Sequence, residues 1–335
     1  MLEYKKVDLH LHFDGSLPID WAWETAQKEL GLTDKEAFIK SMQVDEDTHS
    51  LYDYLARFDM PLKLLQSEDN LYEAMKALIL ELDQQGLLYA EIRFAPQQHI
   101  KQGLSQKQVV DILCQAREDA LRECTQLHVN FILCMMILGE EKLTHELNEE
   151  TLYLAKEYQN RGVVAVDLAG AEGMAPMEDF RELFMKAKEL GLVYTIHAGE
   201  SYGPMNIEKA LSFGALRIGH GTSAIQDEKV MELLKEKKVP LEVCITSNVH
   251  SEAVNDYEAH PIKSYLDQGI LICVCTDNMT ISDTNLDKEY DILLQKLGFT
   301  MEDLIACNQR ALESSFASEE EKQKLLTAFR SGSWN

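Results

Sequence analysis

Eight short apolar runs rich in β-forming residues recur along this chain, at Val7–Phe13, Leu87–Ala95, His128–Ile137, Val163–Leu168, Leu192–His197, Ala215–Gly219, Pro240–Ile245 and Ile270–Thr276. Between them lie segments of helical period, among them Ser105–Glu123, Leu147–Asn160, Met177–Leu190 and Asp227–Lys237. A strand followed by a helix and then another strand pairs in parallel, because the crossover helix returns the chain to the same edge of the sheet. Eight such units permit closure, so the expected fold is α/β, a (β/α)8 TIM-type barrel. Such a barrel takes about 250 residues before insertions, and residues 1–335 are read as a single domain. Two additions account for the excess length. The connection from Asp14 to Gly86 carries helical stretches of its own, one of them with Leu51, Tyr54, Leu55 and Phe58 on a single face, which reads first as packing on the barrel and second as a wall against a ligand. The tail from Thr300 adds two helices, the first opened by Thr300 and Asp303 spaced as a capping box.

Charge narrows the range of partners. With 32 basic and 57 acidic residues the formal net charge is -25, a field that repels polyanions, so neither nucleic acid nor an anionic membrane is expected to bind. No apolar run is long enough to span a bilayer, and the first residues lack the apolar core of a signal peptide, which predicts a cytoplasmic protein. The seven cysteines include no C-x-x-C pair, against both a disulfide framework and a cysteine-held structural zinc, and Cys273 and Cys275 read as buried thiols. The P-C-x-x-C signature of the nucleobase deaminases with cysteine-bound zinc is absent as well.

The first run alternates strictly. Val7, Leu9, Leu11 and Phe13 share one side, and Asp8, His10, His12 and Asp14 the other. In a barrel the apolar side faces the helices, so His10 and His12 point inward near the carboxyl end of the strand, where barrel enzymes carry their active sites. H-x-H on a strand suits two-point ligation of zinc, though taken alone it is equally a hydrogen-bonded pair. The same end of later runs brings His197-Ala198-Gly199-Glu200, Gly219-His220-Gly221 and Thr276-Asp277-Asn278. Lone core histidines would not gather at strand ends.

Taken together, H-x-H-x-D-G, HAGE, GHG and T-D-N, in this order over nearly the whole chain, resemble the adenosine deaminase family of the amidohydrolase superfamily, close to its bacterial members. Leu51–Asp59 is similar to the family's helix over the purine pocket, and Tyr89–Pro96 and Asp167–Gly170 match its second and fourth strands. The resemblance implies hydrolytic deamination of adenosine, and of deoxyadenosine, to the inosine product and ammonia. It implies one zinc held by His10, His12, His197 and Asp277, and no lysine stands near the end of the fourth run to bridge a second metal. Glu200 would protonate ring N1, while Asp277 and His220 would orient and deprotonate the water. Gly170 would bond the purine, Asn278 would face N7, and His12 with Asp14 would contact the ribose. Many family members have a second aspartate where this chain has Asn278, a neutral amide able to donate to N7.

Two other readings stand beside this one. A sister deaminase of adenine or of an N6-modified purine nucleotide would use the same chemistry, although lysine and arginine are sparse around the rim motifs and Arg217 is expected deeper in its strand. A barrel retained only as a scaffold would have no need of the whole ligand set. His49, His99, His128, His145 and His260 read as surface or structural histidines, and His250 as a minor candidate for substrate contact.

Overall fold

The computed structural model describes residues 5–45, 48, 50–138 and 141–331. Eight parallel strands form in chain order: β1 (Lys6–His12), β2 (Leu87–Phe94), β3 (His128–Ile137), β4 (Val163–Gly170), β5 (Thr195–Ala198), β6 (Arg217–His220), β7 (Leu241–Val243) and β8 (Ile272–Val274). β1 to β4 make one continuous ladder and β5 to β8 another. Single parallel bridges join the two halves, Val166 to Tyr194 between β4 and β5 and Leu11 to Asp277 between β8 and β1, so the barrel closes. At the second junction His12 N–H donates to the Asp277 carbonyl (2.7 Å) and Asp277 N–H to the His10 carbonyl (2.8 Å).

Strand limits differ from expectation chiefly in the second half of the chain. The run ending at Ile245 is cut short because Ile245–His250 turns into a helix, and Asp277 stands beyond the end of β8 rather than on it. The helix expected at Leu147–Asn160 runs instead over Glu141–Glu157, and Met177–Leu190 divides into a tight turn at Met177–Phe180 and a helix at Arg181–Glu189. The insertion after β1 holds helices Ile19–Leu30, Lys35–Met42, Leu51–Ala56, Asp59–Leu64 and Glu68–Gln84. The two tail helices, Met301–Ser314 and Glu319–Arg330, cover the amino ends of the strands, where Leu312, Leu325 and Leu326 pack with Val7, Leu9, Leu88 and Tyr89. The Thr300 and Asp303 capping box forms as its spacing predicts.

All seven cysteines are free thiols, and Cys273 and Cys275 are buried. Among the described residues no helix is long and apolar enough to cross a membrane.

Candidate active site

Within the barrel a ladder of buried charges underlies the polar rim. Arg93 of β2 pairs with Asp167 of β4 (2.7 Å) and Glu242 of β7 (2.8 Å), while Arg217 of β6 pairs with Glu242 and with Glu91 of β2 (2.5 Å each). Arg217 thus lies deep in its strand, as its position before the G-H-G motif suggests. Burial alone would raise the Glu242 carboxyl, yet the two guanidiniums beside it hold it well below the ordinary range. These carboxylates face upward to imidazoles. Glu242 accepts from His10 Nδ1 (2.8 Å), and Asp167 Oδ2 lies 2.9 Å from His197 Nδ1, oblique to the ring N–H. A carboxylate at Nδ1 draws the ring proton there and leaves Nε2 bare, the state that a metal-binding histidine needs.

Those bare nitrogens meet at one point. Nε2 of His10 is buried without a hydrogen-bond partner. It lies 3.4 Å from Asp277 Oδ1, which is also 3.4 Å from His12 Nε2, and His12 Nε2 is 3.2 Å from His197 Nε2. Two imidazole nitrogens at 3.2 Å must share either a proton or a cation. Four nitrogen and oxygen donors at about 2.0–2.1 Å from one tetrahedral ion stand about 3.3–3.4 Å apart, so these spacings fit a metal. His10, His197, His220 and Asp277 also each offer an atom within 4.8 Å of the others, so distance alone leaves His12 and His220 competing for the fourth place. The tighter contacts belong to His12.

Glu200 faces this cluster from the loop after β5. The carboxylate of Glu172, missed by sequence reasoning, accepts the backbone N–H groups of Gly199, Glu200, Ser201 and Tyr202 and the side-chain amide of Asn206, and so fixes the loop. Burial first, and the nearby Asp277 carboxylate second, push the Glu200 carboxyl up to about 8. Asp277 goes the other way. Burial would raise it, but hydrogen bonding to His10 and the imidazole of His220 hold it well below the usual range. Two neighbouring carboxyls with pKa values driven apart are equipped to act as acid and base respectively.

A cavity of about 320 Å³ opens above, lined by His12, Asp14, Gly170, His197, Glu200, His220, Asp277 and Asn278 on its polar side. Its apolar side includes Leu51, Tyr54, Leu55 and Phe58, so the helical face first read as packing is a wall of the cavity. Among the described residues no lysine or arginine lines it. Asp14 Oδ1 is buried there without a partner. Gly170 has φ 109°, and a Cβ on it would come within 3.0 Å of the Ile137 carbonyl, so only glycine brings backbone to this surface without strain. Asn278 donates from Nδ2 to the Tyr54 hydroxyl (3.1 Å), which leaves its second N–H free for a ligand.

Gly15 makes room for Asn278, since an added Cβ would lie 1.8 Å from its Oδ1. Gly15→Ala is therefore expected to displace that amide, costing about 1–3 kcal/mol by overpacking, with a lower Tm and a raised KM as the measured effects.

The remaining histidines fall elsewhere. His99 is buried and bonded to the Leu65 carbonyl, His128 is exposed beside Glu321, and His145 lines a separate cleft, while His49 lies outside the described residues. His250 lines a different groove and does not reach the cavity, because the helix Ile245–His250 turns it away. His260 is structural, as expected, but it also touches the site through Asn248.

Comparison with known proteins finds relatives over nearly the whole chain. The family model described as adenosine deaminase matches residues 5–331. The chain is 42% identical to an adenosine deaminase of Clostridium kluyveri, covering 97% of this chain and 93% of the relative, and 39% identical to one of Haemophilus ducreyi, covering 97% and 96%. Among solved structures it is similar to an adenine deaminase of Arthrobacter aurescens, with a TM-score of 0.88, 25% identity and coverage of 98% and 99%.

Proposed function

Because the chain belongs to the adenosine deaminase family, we propose that it hydrolyses the amidine C–N bond of adenosine and deoxyadenosine, releasing ammonia and the inosine product, with one zinc ion. The observation that carries this reading is the convergence of four imidazoles, Asp277 and Glu200 on the floor of a cavity that is otherwise mostly apolar.

His10, His12, His197 and Asp277 are the proposed zinc ligands, and three imidazoles with one carboxylate suit that ion. Bound there, zinc would supply a water acidic enough to act as a nucleophile near neutral pH. The protein's own residues do the rest. Asp277, ionised despite its burial, takes the water's proton as the oxygen adds to purine C6, and His220 orients that oxygen. Glu200, still protonated at neutral pH, delivers its proton to ring N1 as aromaticity is lost. Gly170 and Asn278 hold the base at its edge and at N7, and His12 with the unpartnered Oδ1 of Asp14 receive the ribose hydroxyls. The apolar wall keeps bulk water from the purine.

A lining without lysine or arginine among the described residues favours a nucleoside over a nucleotide, whose phosphate would go unneutralised. The unpartnered Oδ1 of Asp14 favours a nucleoside over free adenine. Assayed side by side, adenosine and deoxyadenosine are expected to give the highest kcat/KM. Adenine and AMP should trail by about 10–100-fold, since each leaves a buried polar group unsatisfied at about 1–3 kcal/mol. A clear lead for adenine or AMP would assign the chain to the sister reaction.

A further inference from the structure

A line of hydrogen bonds reaches His220 from the backbone behind the site. The amide N–H of Ile262 donates to Nδ1 of His260 at 3.2 Å. A backbone N–H can only donate, so that ring nitrogen carries no proton and the His260 hydrogen sits on Nε2. His260 Nε2 faces Asn248 Oδ1 at 3.3 Å, and the oxygen accepts. The side-chain amide is thereby oriented with Nδ2 toward His220 Nδ1, 2.9 Å away. An amide nitrogen likewise only donates, so His220 Nδ1 is bare and its proton sits on Nε2, the atom turned toward Glu200 Oε2 at 3.7 Å.

Turning the Asn248 amide over would set its N–H groups against the N–H of His260 and leave its oxygen against the lone pair of His220. Two hydrogen bonds would become two repulsions, and with Asn248, His220 and His260 all buried no water can repair them. Burial also pushes His260 down to about 3, so that ring is neutral.

His10 and His197 have the opposite arrangement, with carboxylates at Nδ1 and bare Nε2 atoms facing inward. We infer that Asn248 and His260 are positioning residues that lock His220 in the Nε2–H tautomer, making it a hydrogen-bond donor to the oxygen that adds to C6 rather than a metal ligand or the base. Proton abstraction then falls to Asp277 alone. The inference rests on the deaminase reading for its chemical consequence, while the tautomer itself depends only on the hydrogen-bond line.

The test is nitrogen NMR of the whole protein labelled with ¹⁵N-histidine, the His220 signals being assigned by their loss in His220→Gln. The parent is expected to show a pyridine-like Nδ1 and a pyrrole-like Nε2 at His220. In Asn248→Asp, where a carboxylate can only accept, the two should exchange, and kcat should fall by about 10²-fold with KM largely unchanged. A parent spectrum with the proton on Nδ1 overturns the inference, as does an Asn248→Asp spectrum with the tautomer unchanged. Should Asn248→Asp fail to fold, the parent spectrum decides by itself. It needs no substrate, so its outcome is separate from that of the substrate assay.

Discussion

Glu200→Gln is expected to lower kcat by about 10²–10⁴-fold, the range that one well-placed proton donor contributes, while metal content and Tm stay close to those of the parent. Glutamine has the shape of the protonated acid and can still accept from Ser251 Oγ, which bonds Glu200 Oε1 at 3.0 Å. The loop that carries it is fixed by Glu172 through backbone groups that the substitution leaves alone. What disappears is the transferable proton that burial keeps on the carboxyl up to about pH 8. Steady-state kinetics with elemental analysis and a melting curve separate these effects. Near-normal turnover would take the acid's role away from Glu200.

Asp277→Asn should have the larger effect, removing most of the bound metal and lowering activity by more than about 10⁴-fold, the upper end of what a lone acid–base group contributes. One side chain here holds two proposed roles, ligand and base, and an amide serves poorly in both. Asparagine is the appropriate replacement because Asp277 has φ 63°, a left-handed conformation that asparagine tolerates and alanine does not. It also preserves a partner for Ser247, whose hydroxyl donates to Asp277 Oδ2. Elemental analysis of the purified variant is the direct measurement, and a full complement of metal would refute ligation by this residue. Exhaustive chelation of the parent, followed by restoration with zinc, should reproduce the loss and then reverse it.

Much of the site could be read from strand ends. His10, His12, His197, His220 and Asp277 each follow or close an apolar run, and barrel topology brings all such ends to one rim. The supporting residues were less visible. Glu242 is a lone charge inside one apolar run and Arg93 shares another with Glu91, while Glu172 belongs to no motif in a loop and Asn248 to none in the short helix Ile245–His250. One signal was available. Five charged residues, Glu91, Arg93, Asp167, Arg217 and Glu242, sit within strands that must be buried on both faces, and buried charges persist only when paired. Their partners still could not be named, because each pair joins different strands.

His260 shows the same limit. Its isolation from every motif marked it as structural, and its connection to His220 through Asn248 exists only after β6, the helix Ile245–His250 and the segment before Ile262 have packed together.

The sequence by itself determined the eightfold alternation, the inward face of β1 and the chemistry present at the rim, since periodicity and residue type act locally. Only the tertiary structure decided which nitrogen of each histidine faces the centre, which carboxyl is pushed up by burial and which is held down by its neighbours, and that the Leu51 to Phe58 face walls the cavity. Proton placement and pKa depend on partners within a few ångströms in space, and those partners come from strands and loops far apart along the chain.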